Sequence, residues 1–308
     1  MSATSEASSG RRDTGPDPSA AVPPVSRTAL LRAADGVPIE AAYAPGPGPG
    51  APALVVAHGF TGALERPAIR RAAAMFAQRA GVVTFSFRGH GGSGGRSTVG
   101  DREVLDLAAA VAWARSLGHG RVATVGFSMG GSVVLRHGAL YRRAVRGDGP
   151  ERGGREGRTG AYAGAADGGA DAVACADAVV SVSSPARWYY RGTAPMRRLH
   201  WIVERRAGRT VSRLALKTRI HHRRWNPEPL SPTAAVPLIA PVPLLIVHGT
   251  RDGYFPLDHP RALAAAAAPD GAELWLEEDF GHAENAASDE LLTRIAAWAT
   301  EAVSGRSS

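Results

Sequence analysis

The sequence has 308 residues, 44% of them apolar, with 36 Lys plus Arg against 28 Asp plus Glu and a net charge of +8. That length suits one large α/β domain or two small ones, and that apolar fraction excludes a wholly disordered chain. The single cysteine, Cys175, excludes an intramolecular disulfide framework and a cysteine-rich zinc module, and no apolar run approaches the roughly eighteen residues of a membrane-spanning helix.

Residues 1–26 are mostly Ser, Thr, Pro, Gly and Ala without hydrophobic period, which predicts a disordered tail. Arg11 and Arg12 are followed by polar residues and prolines rather than the apolar stretch of a secretion signal, so the expected address is the cytoplasm. Thr28 to Tyr43 reads as a hairpin turning at Asp35-Gly36. Ala53–Ala57 is a short continuous apolar run, as expected of a strand buried on both faces. Pro67 opens a helix with Ile69, Ala73, Phe76 and Ala80 on one face and Gly81 as its stop. Val82–Phe87 is the next strand. Asp101 is placed to cap a helix carrying Val104, Leu107, Val111 and Ala114, ended by Gly118. Arg121–Val125 is a third strand, and a helix over about Met129–Leu140 follows. This alternation of buried strands and helices predicts a mostly parallel sheet covered on both faces.

Two segments interrupt the alternation. Residues 142–171 hold Arg, Gly, Glu, Asp and Ala with almost no large apolar side chain, which predicts a flexible surface insertion. The sheet resumes at Ala178–Val182. Residues 186–232 then break it again, but with Trp188, Tyr189, Tyr190, Leu199, Trp201, Ile202, Leu214, Leu216 and Trp225 they carry enough apolar surface for short amphipathic helices packed on the body. Strand Pro243–Val247, a helix near Pro260–Ala268, strand Ala272–Leu276 and a helix over Glu290–Val303 capped by Ser288 complete the pattern.

The positive charge is local. Residues 186–224 contain twelve basic side chains and one acid, Glu204, a net +11 that leaves −3 for the rest of the chain. A near-neutral body with one basic segment is not the pattern of a protein that coats nucleic acid, and no nucleic-acid partner is expected. Lys217 is the only lysine, so coding bias contributes to the arginine content.

Gly126-Phe127-Ser128-Met129-Gly130 fits G-x-S-x-G, directly after a buried strand and before a helix. A sharp turn there lifts the Ser128 hydroxyl clear of the sheet, the glycines remove colliding side chains, and the helix N-terminus offers N–H groups to an anion. A serine hydroxyl needs a base. Of ten histidines, His282 alone follows the last strand and precedes the last helix, on the sheet edge that also carries Ser128. The base needs an acid to hold its tautomer. Asp252, after the preceding strand, is the candidate; Asp258, Glu278 and Asp279 are the rivals, the last two too close along the chain to His282 to orient well toward its ring. His58-Gly59-Phe60 follows the first buried strand, so the N–H groups of Phe60 and Met129 are the candidate oxyanion hole.

These motifs resemble the α/β-hydrolase superfamily over about 28–303, less the 142–171 insertion. The similarity rests on residues 126–131, 58–62, the Phe87-Arg88-Gly89-His90-Gly91-Gly92-Ser93 loop, 248–252 and Gly281-His282. The Arg-Gly-His-Gly-x-Ser loop is similar to the branch of small esterases and of monoacylglycerol-lipase-like and serine-aminopeptidase-like enzymes. The resemblance implies a doubly covered, mostly parallel sheet, a Ser128–Asp252–His282 triad, a short helical lid at 186–232 and no cofactor or metal. The organisation implied is a tail (1–26), a first part of the core (27–185), the lid (186–232) and a second part of the core (233–308).

The expected activity is hydrolysis of a small-molecule carboxylic ester through an acyl-enzyme on Ser128. Acyltransferases, perhydrolases and amidases or peptidases use the same triad, and the residues do not separate them. A binding protein on this fold is the non-catalytic alternative, and weak contact of the basic segment with an anionic membrane surface is the other partner expectation.

Overall fold

The computed structural model of the protein describes residues 27–142, 173–269 and 271–305. The tail expected over 1–26, and all but the first residue of the insertion expected over 142–171, lie outside the described residues.

Eight strands form one sheet. They are β1 (Arg27–Arg32), β2 (Pro38–Ala44), β3 (Ala53–Ala57), β4 (Gly81–Phe85), β5 (Val122–Phe127), β6 (Ala178–Val182), β7 (Leu244–Gly249) and β8 (Glu273–Glu277), in spatial order β1-β2-β4-β3-β5-β6-β7-β8. The β1–β2 and β2–β4 pairings are antiparallel and all others parallel. The hairpin turns where the sequence places it: the Gly36 N–H donates to the Ala33 carbonyl at 2.8 Å, with Gly36 at φ 82°.

Strand alternation sends Ala53, Val55 and Ala57 to one face and Leu54 and Val56 to the other. The first face packs against α2 (Glu103–Ser116), α3 (Met129–Leu140) and, near β7, α7 (Asp258–Ala266). The second packs against α1 (Pro67–Ala77) and α9 (Asp289–Ser304) through Ile69, Phe76, Leu291, Leu292 and Ile295. Ser288 caps α9, its hydroxyl accepting the Leu291 N–H at 3.1 Å. The segment at 186–232 contributes α4 (Ala194–Glu204) and α5 (Arg206–Ala215), packed on each other, and ends at α6 (Pro232–Ala235), which a 3₁₀ turn continues to Leu238. The four-residue α8 (Ala283–Ala286) precedes α9.

Three local expectations are corrected. Asp101 does not cap α2; the N-cap is Arg102, without a side-chain cap, and Asp101 faces the buried Arg136 of α3 at 3.5 Å. The first-turn Glu103 takes over the local donors instead, accepting the hydroxyls of Ser97 and Thr98 and the N–H groups of Thr98 and Gly100. Helix α1 ends at Ala77, and Gly81 already belongs to β4, where a Cβ would lie 2.5 Å from Cε1 of His119. Strand β4 ends at Phe85 rather than Phe87, because the Phe87 N–H is taken by the His58 ring. Among the described residues, no helix is long and apolar enough to cross a membrane and no cluster of three or more His, Cys, Asp or Glu is placed to hold a metal ion.

Candidate active site

Parallel strands put their carboxyl ends on one edge, so the loops after β3, β5, β7 and β8 meet there. Ser128 sits between β5 and α3 at φ 52°, ψ −112°, left-handed backbone that a non-glycine residue adopts only under constraint. The constraint comes from close packing. A Cβ on Gly126 would run into the Gly130 carbonyl, and one on Gly130 would lie 2.7 Å from the carbonyl carbon of Ala57. The Ser128 N–H donates to the Val182 carbonyl at 2.8 Å, which ties the turn to β6.

The Ser128 hydroxyl lies 2.9 Å from Nε2 of His282, and Nδ1 of His282 lies 2.8 Å from Oδ2 of Asp252. With Asp252 ionised, the chemistry fixes the tautomer: Nδ1–H donates to the carboxylate and Nε2 is free to accept from the serine. Oδ1 of Asp252 accepts the N–H groups of Tyr254 (2.8 Å) and Phe255 (3.1 Å), which aims the carboxylate. Burial alone would raise the Asp252 pKa. The hydrogen bond and charge of His282 and the Phe255 N–H overcome it, and the group sits below its ordinary value. The Tyr254 ring stacks on His282 with centroids 4.1 Å apart.

The rival acids are occupied or remote. Asp258 pairs with Arg187 at 2.8 Å and Asp279 with Arg251 at 2.7 Å, while Glu278 is exposed. The other histidines beside strands are structural. His248 donates to the Phe255 carbonyl at 2.9 Å beneath Asp252, and His90 is buried against the Arg88 carbonyl. Burial depresses the pKa of both.

His58 acts on the loop that carries Phe60. Its Nε2 accepts the Phe87 N–H at 3.0 Å, so the proton is on Nδ1, which donates to the Gly59 carbonyl at 2.7 Å. Burial, then the neighbouring charge of His90, hold its pKa well below the ordinary imidazole value and keep the ring neutral. The Gly59 N–H donates to Oε1 of Glu284 at 3.0 Å. The peptide unit joining Gly59 to Phe60 is thus anchored through its carbonyl, which turns the Phe60 N–H the other way. Among the described residues the N–H groups of Phe60 and Met129 have no hydrogen-bond acceptor, and both residues line one cavity with Ser128.

Glu284 and Tyr254 are the site residues that sequence reasoning missed. Glu284 is buried, its carboxylate has no cation within 4 Å among the described residues, and desolvation raises its pKa. An acid between Ala283 and Asn285, two residues after His282, was the available signal.

The cavity is about 400 Å³. It is lined by Ser128, Met129 and Phe60 and by residues of the 187–225 segment, including Trp188, Tyr189 and Trp225.

A family model described as "alpha/beta hydrolase fold" matches residues 52–147. Among solved structures, the esterase Pf2001 of Pyrococcus furiosus is 19% identical over 91% of this chain and 91% of its own, with a TM-score of 0.62. Est1E from Butyrivibrio proteoclasticus is 16% identical over 91% and 100%, TM-score 0.56. An alpha-beta serine hydrolase homologue from Coxiella burnetii is 15% identical over 90% and 97%, TM-score 0.54. No curated protein sequence matches significantly.

Proposed function

We propose that this chain, which has the α/β-hydrolase fold, is a serine hydrolase that cleaves carboxylic esters through an acyl-enzyme on Ser128. The observation that carries the reading is the unbroken relay Asp252–His282–Ser128, with contacts of 2.8 and 2.9 Å, beside the Phe60 and Met129 N–H groups, which have no acceptor among the described residues. Esterase neighbours on the same fold support it.

The steps follow from the geometry. Nε2 of His282 takes the Ser128 proton as Oγ attacks the ester carbonyl. The Phe60 and Met129 N–H groups receive the oxyanion, and the N-terminus of α3 adds its dipole. Asp252 holds the imidazolium in place. His282 then protonates the leaving alkoxide, and water, deprotonated by the same nitrogen, releases the acid. A carboxylate nucleophile, as epoxide hydrolysis or dehalogenation on this fold requires, is absent from position 128.

Labelling by a fluorophosphonate probe and hydrolysis of p-nitrophenyl esters from acetate to palmitate test the reading. Ser128→Ala is expected to abolish labelling and to lower kcat by about 10³-fold or more without unfolding the protein. Turnover within tenfold of wild type in that variant overturns it.

A further inference from the structure

The wall that residues 187–225 contribute to the cavity of Ser128 has two chemically different parts. One is aromatic. Trp188 and Trp225 lie with centroids 5.1 Å apart, and Tyr189 is 5.5 Å from Trp225. Both indole N–H groups are spent on carbonyls, Trp188 on Pro229 (2.9 Å) and Trp225 on Thr98 (2.7 Å), so the ring faces offer carbon to the cavity.

The other part is cationic. Of the five arginines lining the cavity, three are engaged: Arg187 with Asp258, Arg191 with Glu204, and Arg209 with the Val203 and Glu204 carbonyls. Arg223 and Arg224 line the same cavity, and among the described residues neither has a carboxylate within 4 Å. His221 and His222 are stacked beside them, centroids 5.0 Å apart. A slight desolvation and then the positive charges of His221, Arg223, Arg96 and Arg209 press the His222 pKa down, which records a local excess of cations. The acids that act on this wall include Asp258, held by Arg187, Glu204, held by Arg191 and His200, and Glu228, which acts on Tyr189.

We propose that Arg223 and Arg224 form an anion subsite, so that the preferred substrate is an ester with a carboxylate or phosphate remote from the scissile carbonyl and a hydrocarbon or aryl spacer against Trp188, Tyr189 and Trp225. This rests on Ser128 being the nucleophile. A guanidinium presents a planar fork that matches either anion bidentately. The aromatic faces supply the apolar contact that holds the spacer. Like charges crowded at a cavity mouth repel, and an anion docked between them removes that cost while it orients the ester toward the oxyanion donors. The rival is a solvated basic face that meets anionic lipid instead.

Matched substrates test the subsite: p-nitrophenyl hydrogen adipate against p-nitrophenyl hexanoate, and 4-butanoyloxyphenyl phosphate against phenyl butanoate. For at least one pair, kcat/KM is expected to favour the anion by about tenfold or more at low salt, with the advantage shrinking toward about 0.5 M NaCl. Arg223→Gln with Arg224→Gln should erase the ratio. Arg213→Gln with Lys217→Gln, which removes the same charge from exposed positions outside the cavity, should keep it. Titration of Ser128→Ala protein with phenyl phosphate and with adipate monomethyl ester, with and without the Arg223 and Arg224 changes, reads the subsite without turnover; at least a tenfold weaker Kd is expected for one ligand. Equal ratios and equal Kd values overturn the subsite while leaving Ser128-dependent hydrolysis intact. Loss of hydrolysis with retained binding overturns the esterase reading and not the subsite. Stimulation of neutral-ester turnover by phosphatidylglycerol vesicles, without any anion preference in solution, assigns the arginines to a lipid surface and also overturns it.

Discussion

Replacing Asp252 by Asn tests the relay at its most informative atom. Asn keeps the Oδ1 acceptor for the Tyr254 and Phe255 N–H groups, which lie at 2.8 and 3.1 Å, so the loop retains its shape. It puts an NH₂ group where Oδ2 now meets Nδ1 of His282 at 2.8 Å. Two donors cannot face each other, so the imidazole moves its proton to Nε2, which then faces the Ser128 hydroxyl as a donor and cannot act as base. A base locked in the wrong tautomer costs about 10⁴ in kcat, or ~5.5 kcal/mol at about 1.4 kcal/mol per factor of ten. Asp258→Asn is the control. Its partner Arg187 is 2.8 Å away and both side chains are about half exposed, 51% and 52%, and such a pair is worth about 0–1 kcal/mol. Rates should change by no more than about fivefold. The assay is kcat on p-nitrophenyl butyrate, with thermal melting as the check on folding. The folded-state pKa of Asp252 is lowered, so its contribution to stability is present above the unfolded value and is lost as pH falls through the folded one. The melting difference between wild type and Asp252→Asn should therefore narrow in acid. A loss below tenfold for Asp252→Asn together with a loss above a hundredfold for Asp258→Asn would refute the reasoning and move the acid to position 258.

Glu284→Ala leaves the buried Gly59 N–H without an acceptor, so stability should fall by about 1–3 kcal/mol and kcat by tenfold or more as the Phe60 donor loses an anchor; Glu284→Gln, which keeps an acceptor, should recover most of the rate, and equal kcat in all three proteins would count against the anchor. The raised pKa of Glu284 carries the opposite pH sign to Asp252: its stabilisation is full below the unfolded carboxylate value and fades as pH rises through the folded one, so the Gln variant should compare best with wild type at neutral pH, read by melting across pH. Gly130→Ala forces a methyl group against Ala57 and His58 and should cost about 1–3 kcal/mol or more; an unchanged melting temperature would mean that the turn relaxes. Arg88→Met strips the guanidinium from buried Asp106, which it meets at 2.7 Å, and should cost about 3–5 kcal/mol, much of it restored when Asp106→Leu is added.

The strands and the serine turn are legible in the sequence because their signals are local. Ala53–Ala57 is an uninterrupted apolar run and Ala178–Val182 is broken only by Ser181, both between polar or small residues, and the observed strands have those bounds. Met129–Leu140 begins where G-x-S-x-G demands a helix N-terminus, and it does. His282 and Asp252 are selected by position after the last two strands, and the fold brings both to Ser128. What the sequence hides is decided by partners far along the chain. Asp101 has the chemistry of a cap but faces Arg136, thirty-five residues away. Glu284 acquires its role only because Gly59, 225 residues earlier, arrives beside it. The engagement of Arg187, Arg191 and Arg209, and the lack of a carboxylate partner at Arg223 and Arg224 among the described residues, is likewise invisible in a run of arginines that all read alike.

Much of the cost of holding the site rigid falls on the loops at the edge of the sheet. Ser128 at φ 52°, Ser183 at φ 51° and Ala283 at φ 55° all sit in left-handed backbone, which costs on the order of 1–3 kcal/mol each. They persist because they are bonded to one another's surroundings: Ser128 N–H to Val182, Ser183 N–H to Val247, Ala283 N–H to the Ser183 hydroxyl. The Gly59 bond to Glu284 adds the loop that carries Phe60 to this set. Displacing any one of these loops therefore strains the others, so substitutions among them should act on kcat. Much of the charge on residues 187–225 is arranged differently. The Arg187–Asp258 contact lies at the surface, and Arg191 pairs with Glu204 within the segment itself. Such contacts are weak and separable, so exchanging these side chains should shift KM and substrate preference while kcat for a small neutral ester stays governed by the loops beneath.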